Sequence, residues 1–75
     1  EINEKITEPF VIEKVVMLFT TSGTLLGYDL ETGTKVHEKE YGYDLNSKTQ
    51  FITEKNNIFF QTNDGDTIRL QVNLQ

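Results

Sequence analysis

Hydrophobic positions along this chain recur with the two-residue period of β-strands, and turn-forming residues interrupt them at short intervals. The most apolar stretch, 15–21, is too short for a stable helix and is rich in β-branched side chains, which favours a buried strand. Near the end, Ile68, Leu70, Val72 and Leu74 alternate with polar residues, as in a half-buried strand. The pattern predicts strands at 9–12, 15–21, 24–30, 34–41, 49–53, 57–62 and 66–73.

Glycines and an aspartate mark the turns between these strands. Gly23 and Gly65 follow polar residues at positions where a tight turn needs a positive φ, which glycine adopts at little cost. Asp29 opens a second kind of turn, in which its carboxylate is expected to accept hydrogen bonds from turn amides before a left-handed Gly33. Gly27 lies inside a strand, which predicts that neighbouring atoms approach it closely.

The chain contains an internal repeat. An offset of 41 (51 − 10 = 41) aligns apolar positions with one another: Phe10 with Phe51, Val11 with Ile52, Met17 with Ile58 and Phe19 with Phe60. One inserted residue in the later turn raises the offset to 42 and aligns Gly23 with Gly65 (65 − 23 = 42). A period of about 40 residues with four strands per unit is the signature of a β-propeller blade.

The repeat divides the chain into a lead-in and two blade-like units. Residues 1–8 are the lead-in, for which an edge strand is favoured over a short helix or disorder; 9–47 supply four strands and 48–75 supply three. The predicted fold is therefore an all-β antiparallel meander of propeller-type blades, incomplete by itself. We expect other chain segments or subunits to complete it, and the open edge to favour association, including with a second copy. A free-standing six-stranded meander is the alternative.

The run from Val16 to Lys35, VMLFTTSGTLLGYDLETGTK, resembles the blade repeats of quinoprotein-like (PQQ-like) propellers. Those repeats carry a glycine turn, an aspartate near the end of the third strand and a Thr-Gly turn. The run is also similar to WD-type repeats, with Tyr28-Asp29 in place of the Trp-Asp pair. The resemblance implies a propeller fold. His37 lies where PQQ-like blades commonly carry a docking Trp, and Gln71 replaces Asp29 in the second unit, so quinone binding is disfavoured.

Composition and charge narrow the classes of partner. The net charge is −5 and the 7 basic residues are scattered, so no basic stripe is available to bind nucleic acid. The longest apolar run, at 15–19, is too short to cross a membrane. The polar first residues are unlike a signal peptide, and the composition assigns no compartment. There is no cysteine, so disulfides and thiolate metal sites are excluded.

The sequence contains little that suggests catalysis or cofactor binding. His37 is the sole histidine and has no evident acid–base partner, so a packing or surface role is favoured. The segment Asn63-Asp-Gly-Asp66 has some likeness to a calcium loop, but it lacks the ligand ladder of an EF-hand and a hairpin turn explains it. We therefore expect no catalytic residue, metal site or cofactor, and no enzymatic activity.

The loop between the two units carries the candidate partner-binding residues Tyr41, Tyr43, Asp44 and Asn46. In a propeller this loop lies on the same rim as the turns at 21–24 and 63–66, and aromatic residues commonly anchor interfaces. The alternative is that the tyrosines cover the edge of the local core. The sequence thus favours a non-catalytic protein–protein interaction or scaffold module, with a fragment of a quinoprotein-like enzyme or cofactor-binding propeller, or a sensor or receptor ectodomain, as alternatives.

Overall fold

The computed structural model describes residues 5–73, which form two antiparallel β-sheets and contain no helix. The first sheet has the order β1-β2-β3-β4, with β1 at Phe10–Ile12, β2 at Val15–Phe19, β3 at Thr24–Asp29 and β4 at Lys35–Glu40. The second has the order β5-β6-β7, with β5 at Ile52–Glu54, β6 at Asn57–Gln61 and β7 at Thr67–Gln71. The prediction of an all-β antiparallel fold is confirmed.

Each predicted strand has a counterpart, with one shift at the start of the second sheet. The strand predicted at 49–53 is observed at Ile52–Glu54. Residues before it are held in a local turn, because Thr49 and Asn46 exchange hydrogen bonds through the Thr49 backbone N–H (3.0 Å) and the Thr49 hydroxyl (3.1 Å). Side-chain bonding of this kind competes with strand pairing.

The lead-in lies beside the end of β2 where the structure describes it. Ile6 forms an isolated antiparallel bridge with Thr20, and the Thr7 N–H donates to the Phe19 carbonyl at 2.9 Å. The Thr7 hydroxyl in turn accepts from the Phe19 N–H at 3.1 Å, and Thr7 is almost fully buried. The expected edge strand is thus represented by one bridge at Ile6; residues 1–4 of that prediction lie outside the described residues.

The turn after β3 has the predicted chemistry. The Asp29 carboxylate accepts hydrogen bonds from the Glu31 N–H at 2.8 Å and the Thr32 N–H at 3.1 Å. Gly33 follows with a φ of +74°, and its N–H donates to the Asp29 carbonyl at 2.8 Å. Asp29 therefore satisfies turn amides that no strand partner reaches.

The β1–β2 and β2–β3 hairpins of the first sheet recur in the second sheet as the β5–β6 and β6–β7 hairpins. Corresponding backbone positions are 42 residues apart throughout. The turns before β2 and β6 each contain a left-handed non-glycine residue, Glu13 (φ 57°) and Lys55 (φ 55°), and 55 − 13 = 42. Flanking hydrogen bonds recur at the same spacing: Leu30 N–H to Lys14 O matches Val72 N–H to Asn56 O, and Thr20 N–H to Thr24 O matches Thr62 N–H to Asp66 O. We call this spacing the repeat offset. The offset of 41 suggested by the side chains is therefore wrong by one position in β1, β2 and their turn.

A shift of one position moves a strand residue to the opposite face of its sheet. In the backbone register Phe60 corresponds to Leu18, not to Phe19. Phe19 and Phe60 nevertheless meet in the core, with ring centroids 5.2 Å apart. Phe10 and Phe51, which the sequence also aligns, have ring centroids 4.7 Å apart. These aromatic matches reflect contact between the sheets, not equivalent positions in them.

The hydrophobic core lies between the two sheets. Its buried members are Ile12, Met17, Phe19, Leu25, Leu45, Ile58, Phe60 and Val72. Fully burying a side chain of this size stabilises the fold by about 1.5–3 kcal/mol. We call the side of each sheet that carries these residues its inner face, because that is where the sheets pack on each other.

The two sheets pack head to tail. The inner face of the second sheet carries four apolar residues, Ile58, Phe60, Ile68 and Leu70. The repeat offset relates them, in that order, to Val16, Leu18, Leu26 and Tyr28 of the first sheet. Those four residues alternate with the core positions of β2 and β3 and so lie on the outer face of the first sheet. Each sheet therefore contributes a different one of its two faces to the interface, as in a rotational repeat.

Candidate functional site

The loop at 41–46 joins the two sheets and is bonded to both of their distal turns. Its Tyr41 N–H donates to the Gly23 carbonyl in the β2–β3 turn at 2.9 Å. From the β6–β7 turn, the Asn63 N–H donates to the Asp44 carbonyl at 2.8 Å. The loop and the two turns thus share one rim of the molecule, which confirms the placement predicted for them.

Gly23 forms the floor on which this loop rests. It has a φ of +95°, and a Cβ built on it would lie 2.1 Å from the Tyr43 backbone nitrogen and 2.6 Å from the Tyr43 oxygen. Both atoms belong to backbone and cannot rotate away. Position 23 therefore requires glycine for its conformation and for the close approach of the loop.

The two loop tyrosines continue the aromatic core to the rim. The Tyr41 and Tyr43 rings stack with centroids 5.7 Å apart and planes 9° apart. Tyr43 also meets the Phe60 ring edge-on at 5.5 Å, and Tyr41 lies 6.3 Å from Phe19. Both side chains are half-buried, so they cover the edge of the core while part of each ring stays accessible.

Burial of the Tyr41 phenol raises its pKa above the ordinary value of 10.0, and the neighbouring Tyr43 adds to the shift. Desolvation acts in this direction because it disfavours the charged phenolate. The Lys39 ammonium lies 5.3 Å from the centroid of the Tyr41 ring, within the range of a cation–π contact. The rim surface around Tyr41 therefore combines an aromatic face with a cation.

Asp44 and Asn46 are exposed, and both side chains bond to Asn63 across the rim. The Asn63 side-chain amide donates to the Asp44 carboxylate at 3.1 Å, and the Asn46 amide donates to the Asn63 side-chain oxygen at 2.5 Å. The Asn46 side-chain oxygen also accepts from the Lys48 N–H at 2.7 Å. The four candidate residues thus adjoin one another on the rim, with Asn63 as the link that sequence reasoning missed.

An open groove of about 690 Å³ extends from Asn46 over the outer face of the second sheet. Most of its lining residues carry amide or hydroxyl side chains, Ile52, Phe59 and Phe60 add apolar ones, and Lys48 is its only ionisable residue among those described. A groove of this kind offers hydrogen bonds together with apolar contact area. It contains no pair of ionisable groups that could share acid–base work.

His37 lies on β4 opposite Gly27 of β3. A Cβ on Gly27 would lie 3.1 Å from the His37 Cβ and 3.0 Å from a Val15 methyl group, so the predicted close approach is confirmed. The His37 Nε2 atom is buried and has no hydrogen-bond partner among the described residues. The side chain is packed at the edge of the first sheet.

The segment at 63–66 forms a tight turn. Gly65 has a φ of +90°, its N–H donates to the Thr62 carbonyl at 3.0 Å, and the Asp66 N–H donates to the Thr62 hydroxyl at 3.2 Å. These bonds account for the residue types there. Within residues 5–73 no group of three or more histidine and acidic side chains is arranged to hold a metal ion.

The fold and the rim define an all-β protein of two packed antiparallel sheets, joined by a loop that bonds to both. No family model matches the chain, and a search of curated proteins finds no significant relative. In the part of the chain that the structure describes, there is no helix long and apolar enough to cross a membrane.

Proposed function

We propose that this chain is a segment of a β-propeller and acts as a non-catalytic scaffold for protein–protein interaction. The observation that carries the proposal is the head-to-tail packing of two sheets whose turns recur at one repeat offset. Units related by one repeated rotation generate rings or open arrays, since each contact uses two different faces. Antiparallel four-stranded sheets repeated in this way are the architecture of propellers.

The open edge of β7 is where the proposal places the first partner. Within the part of the chain that the structure describes, the second sheet has three strands, and β7 occupies the position that β3 holds in the first sheet, where β4 pairs along its other side. An exposed strand edge is a template for pairing with another strand. The partner strand comes from further blades of the same propeller or from another protein.

The rim supplies the second contact surface. Tyr41 and Tyr43 form a rigid stacked platform there, and the exposed Asp44 and Asn46 present polar groups beside the groove. Stacked aromatic residues with a polar surround are typical of interface anchors. The platform costs little entropy on binding because its rings are already fixed against Phe19 and Phe60.

A strand-extension experiment tests this function. Residue 75 corresponds to Gly33, so a copy of the 34–41 segment is appended after position 75, with Gln75→Gly to supply the turn. We expect alternate β7 amides to exchange at least about tenfold more slowly, which corresponds to about 1.4 kcal/mol of added local stability. Amide hydrogen exchange followed by NMR measures the change.

The matched control is the same extension with Val36→Pro and His37→Pro in the copied strand, which cannot form the ladder. If β7 amides exchange equally in both extended chains, β7 is not the third strand of a blade and the proposal fails. Saturable stabilisation of the unmodified chain by a quinone cofactor or calcium would instead favour the cofactor-binding alternative.

A further inference from the structure

The outer face of the first sheet is apolar over its first three strands. Cross-strand pairs of Val11 with Val16, Val16 with Tyr28 and Leu18 with Leu26 make a continuous patch over β1, β2 and β3. Val11 is 51% exposed, Val16, Leu18 and Tyr28 are half-buried, and Leu26 is buried. An antiparallel sheet with one face in water usually alternates apolar and polar residues, whereas β1, β2 and β3 carry apolar residues on both faces. Only β4, with Glu38 and Glu40 beside Leu26 and Thr24, gives the outer face a charged margin.

The molecule itself shows what covers a face of this kind. The corresponding face of the second sheet, one repeat offset later, is covered by Met17, Phe19 and Leu25 of the first. We propose that the outer face of the first sheet binds a further antiparallel sheet that presents the equivalents of Met17, Phe19 and Leu25. This inference rests on the proposed function, because it extends the same head-to-tail repeat by one unit.

A head-to-tail stack of copies of this chain fits the face poorly. In the outer face of the second sheet, the repeat offset places Gln61, Thr67 and Arg69 at the positions of Phe19, Leu25 and Gly27. Stacking that face on Leu18 and Leu26 would bury polar and charged groups against aliphatic side chains without partners, which is unfavourable. The bound sheet is therefore one that keeps the apolar residues of the first unit.

A tandem insertion provides this sheet within one chain. The segment 9–50 spans one repeat offset (50 − 8 = 42), and a second copy of it is inserted directly before Pro9. Gln50 of the copy then precedes Pro9, which corresponds through the repeat offset to Phe51, the residue that follows Gln50 in the native chain (51 − 9 = 42). The chain has no cysteine, so a Val16→Cys change in the original unit gives a single thiol on the face in question. Val16 is half-buried, whereas Ile58, one repeat offset later on the covered face of the second sheet, is fully buried. The rate at which the thiol reacts with a disulfide reagent is compared with that of Val16→Cys in the uninserted chain.

We expect the inserted sheet to slow labelling of the thiol at least about tenfold. The control is Ile52→Cys, which lies on the outer face of the second sheet and is 69% exposed; it should react at an unchanged rate.

Equal rates with and without the insertion overturn the inference, whether or not the inserted unit folds, because its complementary face should drive docking. Protection of the thiol in the uninserted chain together with dimerisation on sedimentation also overturns it, since a second copy would then be the occupant. Protection at position 16 without protection of β7 in the strand-extension experiment would contradict the proposed function alone.

Discussion

Replacing Gly23 by alanine should destabilise the protein much more than the same change at Gly65. The two glycines occupy corresponding turns, one repeat offset apart, with φ values of +95° and +90°. A Cβ at Gly65 meets nothing within 4 Å, whereas a Cβ at Gly23 would lie 2.1 Å from the Tyr43 nitrogen and 2.8 Å from the Gly42 carbonyl carbon. The pair therefore separates backbone strain from the contact with the rim loop.

The magnitudes follow from these two terms. Holding alanine at a positive φ costs about 1–2 kcal/mol, which is the whole effect expected for Gly65→Ala. At Gly23 the loop must also move, which strains or breaks the Tyr41 and Gly42 N–H bonds to the Gly23 carbonyl and the Leu45 N–H bond to the Thr21 carbonyl. At about 0.5–1.5 kcal/mol for each of these three bonds, the total for Gly23→Ala is about 2.5–6.5 kcal/mol.

Urea unfolding followed by far-ultraviolet circular dichroism measures the free energy of unfolding of both variants. A loss of about 2.5–6.5 kcal/mol is a large part of the roughly 5–15 kcal/mol of a typical domain, so Gly23→Ala is expected to be partly unfolded at room temperature or to unfold at low urea. Amide exchange should show faster opening at Leu45 in this variant only. Equal destabilisation of the two variants would refute the view that Gly23 supports the loop.

Three further predictions use the same unfolding assay. Asp29→Ala removes two turn hydrogen bonds and should cost about 1–2 kcal/mol, whereas Asp29→Asn keeps an acceptor and should cost less; equal losses would contradict the proposed role of the acceptor. Because the folded pKa of Tyr41 is raised, the stabilisation by its neutral form is complete below the unfolded pKa of about 10 and is lost as the pH rises through the folded pKa. Tyr41→Phe should therefore lose less stability than the parent in strongly alkaline buffer, and parallel pH profiles would disprove this. His37→Leu removes a buried nitrogen that has no partner among residues 5–73 and should stabilise the protein by about 1 kcal/mol, so a loss of stability would show that the ring packs favourably as it is.

The strands and most of their turns could be predicted because the relevant physics is local. Alternation of apolar residues, the positions of Gly23 and Gly65 and the capping by Asp29 all act within a short stretch of chain. The register of the second unit could not be predicted in this way. It is set by the left-handed residues Glu13 and Lys55, which carry no sequence mark, since non-glycine residues rarely adopt a positive φ.

The position of the candidate rim could be predicted from the sequence, but its hydrogen bonds could not. Connection lengths bring the 41–46 loop to the same end as the two turns, and the structure bears this out. That Asn63 would link Asp44 and Asn46 depends on the distance between two sheets, which the sequence does not contain. In the sequence, Asn63 could be recognised only as a turn residue. The close contact between Gly23 and Tyr43 was hidden for the same reason.

The outer faces of the two sheets differ in polarity. The first three strands of the first sheet are apolar on both sides, and their outer face corresponds to one that is already covered within the molecule. The outer face of the second sheet retains Ile52 and Phe59 but has Gln61, Thr67 and Arg69 around them, so stacking there would desolvate polar groups. If the two proposals hold, a further sheet adds to the first sheet by face-to-face packing, and a further strand adds to the second sheet by pairing along the edge of β7.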